Sequence, residues 1–409
     1  MASLHPFRAL RPAPGSAPAV SSVPYDVVST DEARQIASGN PLSFLHVTRS
    51  EIDLPADTDP YSTQVYERAQ QNFATLREQA PLIHDDAPSL YFYRLRMGNH
   101  EQTGIAACFS VDEYDNDTIK KHERTRRDKE DDRTRHIVTL RAQTGVVFLT
   151  YQRSADVDAL AAQVTAGEPI YDFTADDGVR HTVWKAGLDQ ASKLVSAFAK
   201  IPALYIADGH HRAASAARAR AELRTRLGTT ADAADADTFI AVAFPDNQMQ
   251  ILPYNRVVKD LAGQSAEQFL AALRERFSVT DGPATPSRRG HVSMYLAGKW
   301  HTIDLTKAEP SDSTRASGLD VALLQTHILE RLLKIGDIRS DKRIDFVGGA
   351  RGTGALEQAV DGGQAAVAFS MYPVSVEDLM VISDTGGIMP PKSTWFEPKL
   401  RDGLLVHTI

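Results

Sequence analysis

One stretch of this chain limits the choice of fold more than any other. Residues 203–207 (ALYIA) have the composition of a buried strand, residues 208–212 (DGHHR) are polar, and residues 213–227 are rich in Ala and Arg, which favour helix. A second apolar strand pattern, TGVVFLTY, is also followed by a helical one, DVDALAAQVTAG. Alternating strands and helices predict an α/β fold with mixed sheets.

Charge and composition exclude several classes of protein. The formal net charge is −8, from 45 Lys and Arg against 53 Asp and Glu, whereas a DNA-binding domain is usually basic. The single cysteine, Cys108, excludes an intramolecular disulfide and a thiolate zinc cluster. No run approaches the roughly 18 apolar residues of a membrane helix, and the N-terminus lacks the apolar segment of a secretion signal. We therefore expect a cytoplasmic protein without a membrane partner, and nucleic acid is not the expected ligand.

The segment DGHHR gives the strongest indication of chemistry. Ligands of α/β proteins bind at the carboxyl ends of strands, and a helix N-terminus attracts anions. Gly209 allows the backbone to approach a ligand closely, while His210, His211 and Arg212 add donors. Asp208 could bind Mg²⁺ or accept a proton. We interpret the segment as an anion-binding loop; the alternative is that Asp208 only caps the helix and one histidine packs in the core.

A second candidate lies in the most highly charged window, residues 120–136. It has eight basic and five acidic residues, which over most of its length is typical of a solvated helix with interleaved charges. At its start, Lys121, His122 and Glu123 follow a strand that ends near Ile119. A carboxylate flanked by cations suits a phosphate site, because the cations neutralise charge while the carboxylate takes up a proton.

A metal-dependent hydrolase is the rival interpretation of the same residues. Asp208, His210 and His211 could bind a divalent ion together with His122 or Glu123. Adjacent histidines seldom bind one metal together, however, and the chain has no HExxH motif.

Two further segments contribute predictions. SFLHV (43–47) has the composition of a short strand. In the irregular C-terminal tail, Lys392 and Ser393 stand beside another hydroxyl and an aromatic residue, a set that could close over a site or simply pack.

Six ordered segments carry a resemblance to known proteins: SFLHV, KKHERT, TGVVFLTY, ADGHHR, LPYNRVV and MPPKSTWFEPKLRDGL. Over nearly its whole length the chain resembles a large bacterial and archaeal family of proteins of similar size, long catalogued only as a domain of unknown function. Its DGHHR motif with an upstream His-Glu pair is also similar to that of the free L-serine kinases, whose catalytic core resembles the ParB/sulfiredoxin fold.

The resemblance implies a division of the chain and roles for its residues. A ParB/sulfiredoxin-like core is expected over 103–258, with an N-terminal elaboration over 1–102 and a C-terminal α/β segment over 259–409 that closes over the site. Glu123 and Asp208 are the implied acid/base candidates, with Asp208 also a candidate Mg²⁺ ligand. The residues expected to bind the donor and its phosphates, from the resemblance and from charge, are Lys121, His122, Gly209, His210, His211, Arg212, Lys392 and Ser393.

The expected activity is phosphoryl transfer to the hydroxyl of a small free amino acid. L-serine is the expected substrate, ATP, ADP or pyrophosphate the donor, and Mg²⁺ the cofactor. Two other classes stay open, a ParB-like nucleotide-binding partition or regulatory protein and the metal-dependent hydrolase. The first would need a helix-turn-helix and a basic DNA-binding surface, and we find no clear helix-turn-helix. The sequence leaves the donor, the residues that contact the serine carboxylate and amine, and the choice between monomer and homo-oligomer open.

Overall fold

The computed structural model describes residues 1–79, 82–228 and 234–409, and backbone contacts divide the chain into two compact units. The first unit contains Met1–Met249 and Pro398–Ile409, and the second contains Gln250–Glu397. The domain boundaries that we predicted after residues 102 and 258 stay predictions, and residue 258 lies within the second unit. The one predicted after residue 102 falls inside the strand His100–Ser110, so residues on both sides of it share one sheet.

The strands, numbered β1 to β20 in chain order, are Leu10–Pro12, Leu82–His84, Tyr91–Met97, His100–Ser110, Ile119–Lys120, Ala142–Gln143, Val147–Tyr151, Tyr171–Thr174, Arg180–Lys185, Leu204–Asp208, Thr238–Pro245, Ile251–Leu252, Tyr254–Val258, Ser278–Asp281, His291–Leu296, Lys299–Asp304, Ile344–Gly348, Val367–Ser370, Trp395–Phe396 and His407–Thr408.

Within the described residues, the helices, numbered α1 to α13 in chain order, are Ala17–Val20, Thr30–Ala37, Leu45–Thr48, Thr63–Gln79, Val111–Asp115, Arg127–Leu140, Ala155–Thr165, Leu188–Phe198, His210–Leu227, Ala266–Arg274, Asp320–Leu324, Gly354–Asp361 and Val376–Asp384. A π-helical turn, Gln325–Glu330, continues α11. Short 3₁₀ turns lie at Pro14–Ser16, Ser50–Asp53, Asp235–Asp237, Asp246–Gln248 and Gly349–Arg351.

An eight-stranded mixed sheet forms the centre of the first unit, with the strand order β5-β10-β7-β11-β4-β3-β9-β8. Strand β10 is parallel to β5 and β11 is parallel to β7, while the other neighbours are antiparallel. Apolar residues of the strands and of helices α8 and α9 share one core, which includes Leu149, Ile206, Phe198 and Ala213. Burial of a side chain such as Phe198 stabilises the fold by about 1.5–3 kcal/mol. The predicted α/β fold with mixed sheets is confirmed.

The second unit contains a six-stranded antiparallel sheet, ordered β14-β16-β15-β18-β13-β17. Helix α12 contributes the buried Leu356 to an apolar cluster with Val257, Tyr295 and Ala368 of this sheet. Strands β12 and β19 form a separate antiparallel pair within the same unit. Among the residues described in either unit, none belongs to a helix long and apolar enough to cross a membrane.

The predicted strand over SFLHV is wrong, because residues Leu45–Thr48 form helix α3. The backbone N–H of Thr48 donates to the Phe44 carbonyl at 3.0 Å, which is a helical hydrogen bond. Phe44, Leu45 and Val47 are all buried. A short apolar run that is buried on several sides has no periodicity by which strand and helix could be distinguished.

Candidate active site

The candidate site begins where strand β10 meets helix α9. The pairing of β10 with β7 shifts register between Ile206 and Asp208, so a bulge at this end of the strand redirects the Asp208 side chain. Asp208 is the last residue of the strand and His210 the first of the helix. The prediction that DGHHR forms a loop is therefore wrong, since only Gly209 connects the two elements. The two histidines and Arg212 lie in the first helical turn.

Gly209 makes this tight connection possible. Its φ of 92° lies in the left-handed region, which residues with a Cβ atom seldom adopt. A Cβ atom at this position would lie 3.3 Å from both Cδ and Nη1 of Arg212. Backbone conformation and available space therefore both favour glycine here.

Gly209→Ala is expected to destabilise the protein by about 1–2 kcal/mol from the left-handed conformation, with a further cost from crowding against Arg212. Urea unfolding measures this loss. Gly39→Ala is the matched control, because Gly39 has a φ of 76° but no atom within 4 Å of its Cβ position. An equal loss in the two variants would contradict a contribution from the Arg212 contact.

The N-terminus of helix α9 has no side-chain cap. Ala213 is the first residue whose N–H closes a helical hydrogen bond, onto the Gly209 carbonyl at 3.0 Å. The N–H groups of the preceding turn therefore point out of the positive end of the helix. Helices α2 and α10 begin differently, with hydrogen bonds to the side chains of Ser29 and Ser265. An uncapped end of this kind can accept an anionic group.

Two buried histidines form the wall of the site. The rings of His122 and His210 lie 4.4 Å apart at 90°, and the backbone N–H of His122 donates to Nε2 of His210 at 3.4 Å. Burial, reinforced by His122, lowers the pKa of His210 well below its usual range, and burial lowers the pKa of His122 to about 4. Both rings are therefore neutral at pH 7, and His210 carries its proton on Nδ1.

Glu123 lies beside the protonated nitrogen of His210, with 3.8 Å between its Oε2 and His210 Nδ1. Its side chain is 40% exposed, whereas that of His210 is only 4% exposed. The carboxylate can thus be reached from solvent on one side while an N–H group faces it on the other. It belongs to the segment between β5 and α6, as expected from the end of a strand near Ile119.

The Asp208 carboxylate is held at both oxygens. Oδ1 accepts the N–H of Gly209 at 2.8 Å, and Oδ2 lies 3.0 Å from Nζ of Lys399. Burial would raise the pKa of Asp208, but the Lys399 ammonium and the Arg212 guanidinium outweigh it and hold the pKa well below its usual range. Asp208 is therefore ionised throughout the neutral pH range.

Arg212 is buried, and its guanidinium donates hydrogen bonds to two other segments of the chain. Its Nη2 donates to both oxygens of Asp26 at 2.7 Å, and Nη1 donates to the Val146 carbonyl at 2.7 Å. Because Nη1 and Nη2 bind different partners, the orientation of the guanidinium is fixed by the two contacts together. Close by, burial raises the pKa of Asp402 to about 7, with Arg212 opposing the shift and Asp26 adding to it.

Burial of Asp402 is expected to make the stability of the fold depend on pH. Its pKa of about 7 in the fold exceeds the ordinary value of 3.8, so the folded chain keeps this proton over a range where the unfolded chain loses it. Stability is then expected to fall by up to about 4 kcal/mol as the pH rises from about 4 to about 7. Asp402→Asn should remove this slope in urea unfolding, whereas Asp57→Asn at an exposed position should keep it. Parallel pH profiles for Asp402→Asn and the wild type would contradict the assignment.

Two predicted donor-binding residues have partners within the chain. The Lys121 ammonium lies 2.7 Å from both the Tyr114 carbonyl and Oδ1 of Asp117. His211 Nε2 accepts the backbone N–H of Arg126 at 2.9 Å, which ties the Glu123 segment to helix α9. Burial lowers the pKa of His211, so this ring too is a neutral acceptor.

The remaining two predicted residues, Lys392 and Ser393, lie in the second unit. There the Lys392 ammonium lies 5.4 Å from the centre of the Tyr254 ring, and the Ser393 hydroxyl donates to the Pro390 carbonyl at 2.6 Å. Their role in donor binding stays a prediction.

The first unit brings Glu123, His122 and the start of helix α9 together, with Asp208 directly before that helix, and their roles in catalysis stay a prediction. Sequence reasoning missed Asp26, Lys399 and Asp402. Lys399 and Asp402 belong to the motif MPPKSTWFEPKLRDGL, so the charged residues at the end of this motif could have indicated further residues of the site. Asp26 lies in a proline-rich segment whose composition gives no indication of a site.

The side chains present do not fit a Mg²⁺ ion held by this protein alone. Mg²⁺ takes oxygen ligands, usually one or two carboxylates together with substrate phosphates. Both oxygens of Asp208, the predicted ligand, already contact N–H donors. Within the described parts of the chain, no group of three or more His, Cys, Asp or Glu side chains is arranged to bind a metal ion. A Mg²⁺ ion that arrives on the donor phosphates would be part of the substrate.

Comparisons with known proteins give a family and several low-identity structural matches. A family model described as "Protein of unknown function (DUF1015)" matches residues 4–322, and no curated protein matches the chain. A C-terminally truncated SbnI from Staphylococcus aureus is 14% identical, covering 74% of this chain and 87% of that chain at a TM-score of 0.39.

Two other solved structures are similar at the same level. A free serine kinase in complex with AMP is 12% identical over 73% of this chain and 91% of that chain, with a TM-score of 0.35. A conserved hypothetical protein from Pyrococcus furiosus is 13% identical over 74% and 95%, with a TM-score of 0.36.

Proposed function

The chain belongs to the DUF1015 family of proteins of unknown function, and on that premise we propose that it is a phosphotransferase acting on a small free amino acid. The observation that carries the proposal is the exposed Glu123 carboxylate 3.8 Å from the buried, neutral His210 at an uncapped helix N-terminus. The proposed acceptor is the hydroxyl of L-serine, and the donor is ATP, ADP or pyrophosphate. The proposal includes a cytoplasmic location and a ParB/sulfiredoxin-like core.

In the proposed reaction Glu123 is the general base. The proton of the serine hydroxyl moves to the Glu123 carboxylate while the hydroxyl oxygen bonds to the terminal phosphorus of the donor. The bond from that phosphorus to its bridging oxygen breaks, and ADP, AMP or phosphate leaves, according to the donor. Nδ1 of His210 lies 3.8 Å from the carboxylate, close enough for a small movement on substrate binding to bring the two groups into hydrogen-bond contact.

Charge neutralisation comes from the start of helix α9. The transferred phosphoryl group carries negative charge on its peripheral oxygens, and catalysis consists mainly of positioning and of stabilising that charge. Backbone N–H groups of the uncapped first turn are fixed donors at the positive end of a helix. Because Asp208 stays ionised, it cannot act as a proton donor near neutral pH. We propose instead that its carboxylate holds a negative charge in a fixed position at the site.

The test is a panel of reactions with the purified full chain. L-serine is incubated with Mg²⁺ and with ATP, ADP or pyrophosphate in turn, and O-phosphoserine is detected by mass spectrometry. L-threonine and L-homoserine serve as alternative hydroxyl acceptors, and L-alanine, which lacks the hydroxyl, is the negative control. We expect O-phosphoserine with at least one donor. Hydrolysis of an ester or phosphoester without any phosphorylated amino acid would instead identify a hydrolase, and tight DNA binding that weakens steeply with salt would identify a partition protein.

A further inference from the structure

The C-terminal segment Pro398–Ile409 is anchored in the first unit close to the candidate site. Leu10 and Val406 exchange backbone hydrogen bonds at 3.0 and 2.9 Å, and Ser22 and Asp402 exchange theirs at 3.1 and 3.0 Å. Strand β20 pairs with β6 at the end of the segment. These contacts hold the backbone that carries Lys399.

Arg401 fixes the same segment through its side chain. Its Nη2 donates to Asp177 at 2.5 Å and its Nε to the buried His181 at 3.3 Å. The backbone N–H of Arg401 donates to the Tyr93 hydroxyl at 3.3 Å. Lys399 lies two residues before Arg401, so these contacts also hold the backbone of Lys399 in place.

The ion pair of Lys399 with Asp208 differs from ordinary surface pairs. Its nitrogen–oxygen distance is 3.0 Å, and the two side chains are only 16% and 30% exposed. By comparison, Lys200 and Asp156 form a 2.7 Å pair with side chains that are 70% and 59% exposed. Withdrawing charges from water costs free energy, so a half-buried pair at a candidate site indicates a role other than stability.

We propose that Lys399 is a positioning residue, whose ammonium holds the Asp208 carboxylate in one orientation beside the helix N-terminus. The inference rests on the proposed function of this site. Gly209 N–H fixes one oxygen of the carboxylate and Lys399 fixes the other, so the plane of the carboxylate is determined. Lys399 acts on the reaction through Asp208 and does not itself contact the transferred group.

A double-mutant cycle on turnover tests the proposal. Lys399→Met is expected to lower kcat by about tenfold to a hundredfold, because a misplaced active-site group costs that much, with less effect on KM for serine. Lys399→Arg should restore most of kcat, since it keeps the cation. In the Asp208→Asn chain, Lys399→Met should cause almost no additional loss, because its effect passes through Asp208.

Lys200→Met is the matched control and should leave kcat unchanged. An equal fold-loss from Lys399→Met with and without Asp208 would overturn the proposal, since Lys399 would then act directly on substrate. Unchanged kcat in Lys399→Met would overturn it as well.

A stability measurement separates this inference from the proposed function. If no amino acid is phosphorylated by the wild type, the proposed function fails, but urea unfolding still reports the coupling between the two side chains. We expect Lys399→Met to lower the urea midpoint in the wild-type chain and not in the Asp208→Asn chain. A fall of the same size in both chains would show that Lys399 does not act on Asp208.

Discussion

Glu123→Gln is expected to lower kcat for serine phosphorylation by about a hundredfold or more, the usual contribution of general base catalysis. The glutamine side chain has nearly the same shape and can still accept a contact from Nδ1–H of His210, but it cannot take up the hydroxyl proton. Because the Glu123 side chain is 40% exposed, the substitution should leave the fold intact. Steady-state kinetics at saturating serine and donor measure the loss, and circular dichroism verifies the fold.

Glu101→Gln is the matched control for this variant. Glu101 is 33% exposed and forms a 2.5 Å ion pair with Arg96. Both residues lie on the eight-stranded sheet, outside the candidate site. Its substitution should leave kcat within about twofold of the wild type, since exposed ion pairs contribute little. Wild-type turnover by Glu123→Gln would show that another group, or water alone, receives the proton.

Asp208→Asn is expected to lose most turnover for a different reason. The asparagine oxygen can still accept the Gly209 N–H, but the negative charge opposite Lys399 is lost. The Lys399 ammonium, 16% exposed, would then reorient toward other acceptors and disturb the helix N-terminus. We expect a fall in kcat of more than about tenfold and a modest fall in stability, about 1–3 kcal/mol, which kinetics and urea unfolding measure.

Asp156→Asn removes the carboxylate from the exposed pair with Lys200 and is the control for charge loss alone. It should change neither kcat nor stability by a measurable amount. Near-wild-type rates in both Glu123→Gln and Asp208→Asn would overturn the assignment of this site.

Much of the fold could be predicted from local patterns. The β-forming runs at Tyr91–Met97 and His100–Ser110 form a hairpin, and Tyr171–Thr174 pairs with Arg180–Lys185 around a second turn. These elements follow from β-forming residues interrupted by turn residues, which act over a few positions. The start of helix α9 could not be placed by that means, because Gly209 alone makes the turn and His210 already has helical geometry.

The candidate site was predictable only where its residues are close in sequence. Asp208 ends strand β10 and Glu123 follows shortly after strand β5, and both positions are local signals. Lys399 contacts Asp208 across 191 positions and Asp26 contacts Arg212 across 186, and no local pattern reports such pairs. The interpretation of residues 120–136 as a solvated helix does not hold for every side chain. The side chain of Arg133 is only 14% exposed and pairs with Asp132.

The most direct test of the account is to follow a labelled terminal phosphoryl group from the donor to L-serine with the wild-type chain. The account predicts that label accumulates in O-phospho-L-serine in proportion to the donor consumed. The same transfer should persist in Glu101→Gln and fall to near background in Glu123→Gln. Donor breakdown to phosphate without labelled phosphoserine, or undiminished transfer by Glu123→Gln, would contradict it.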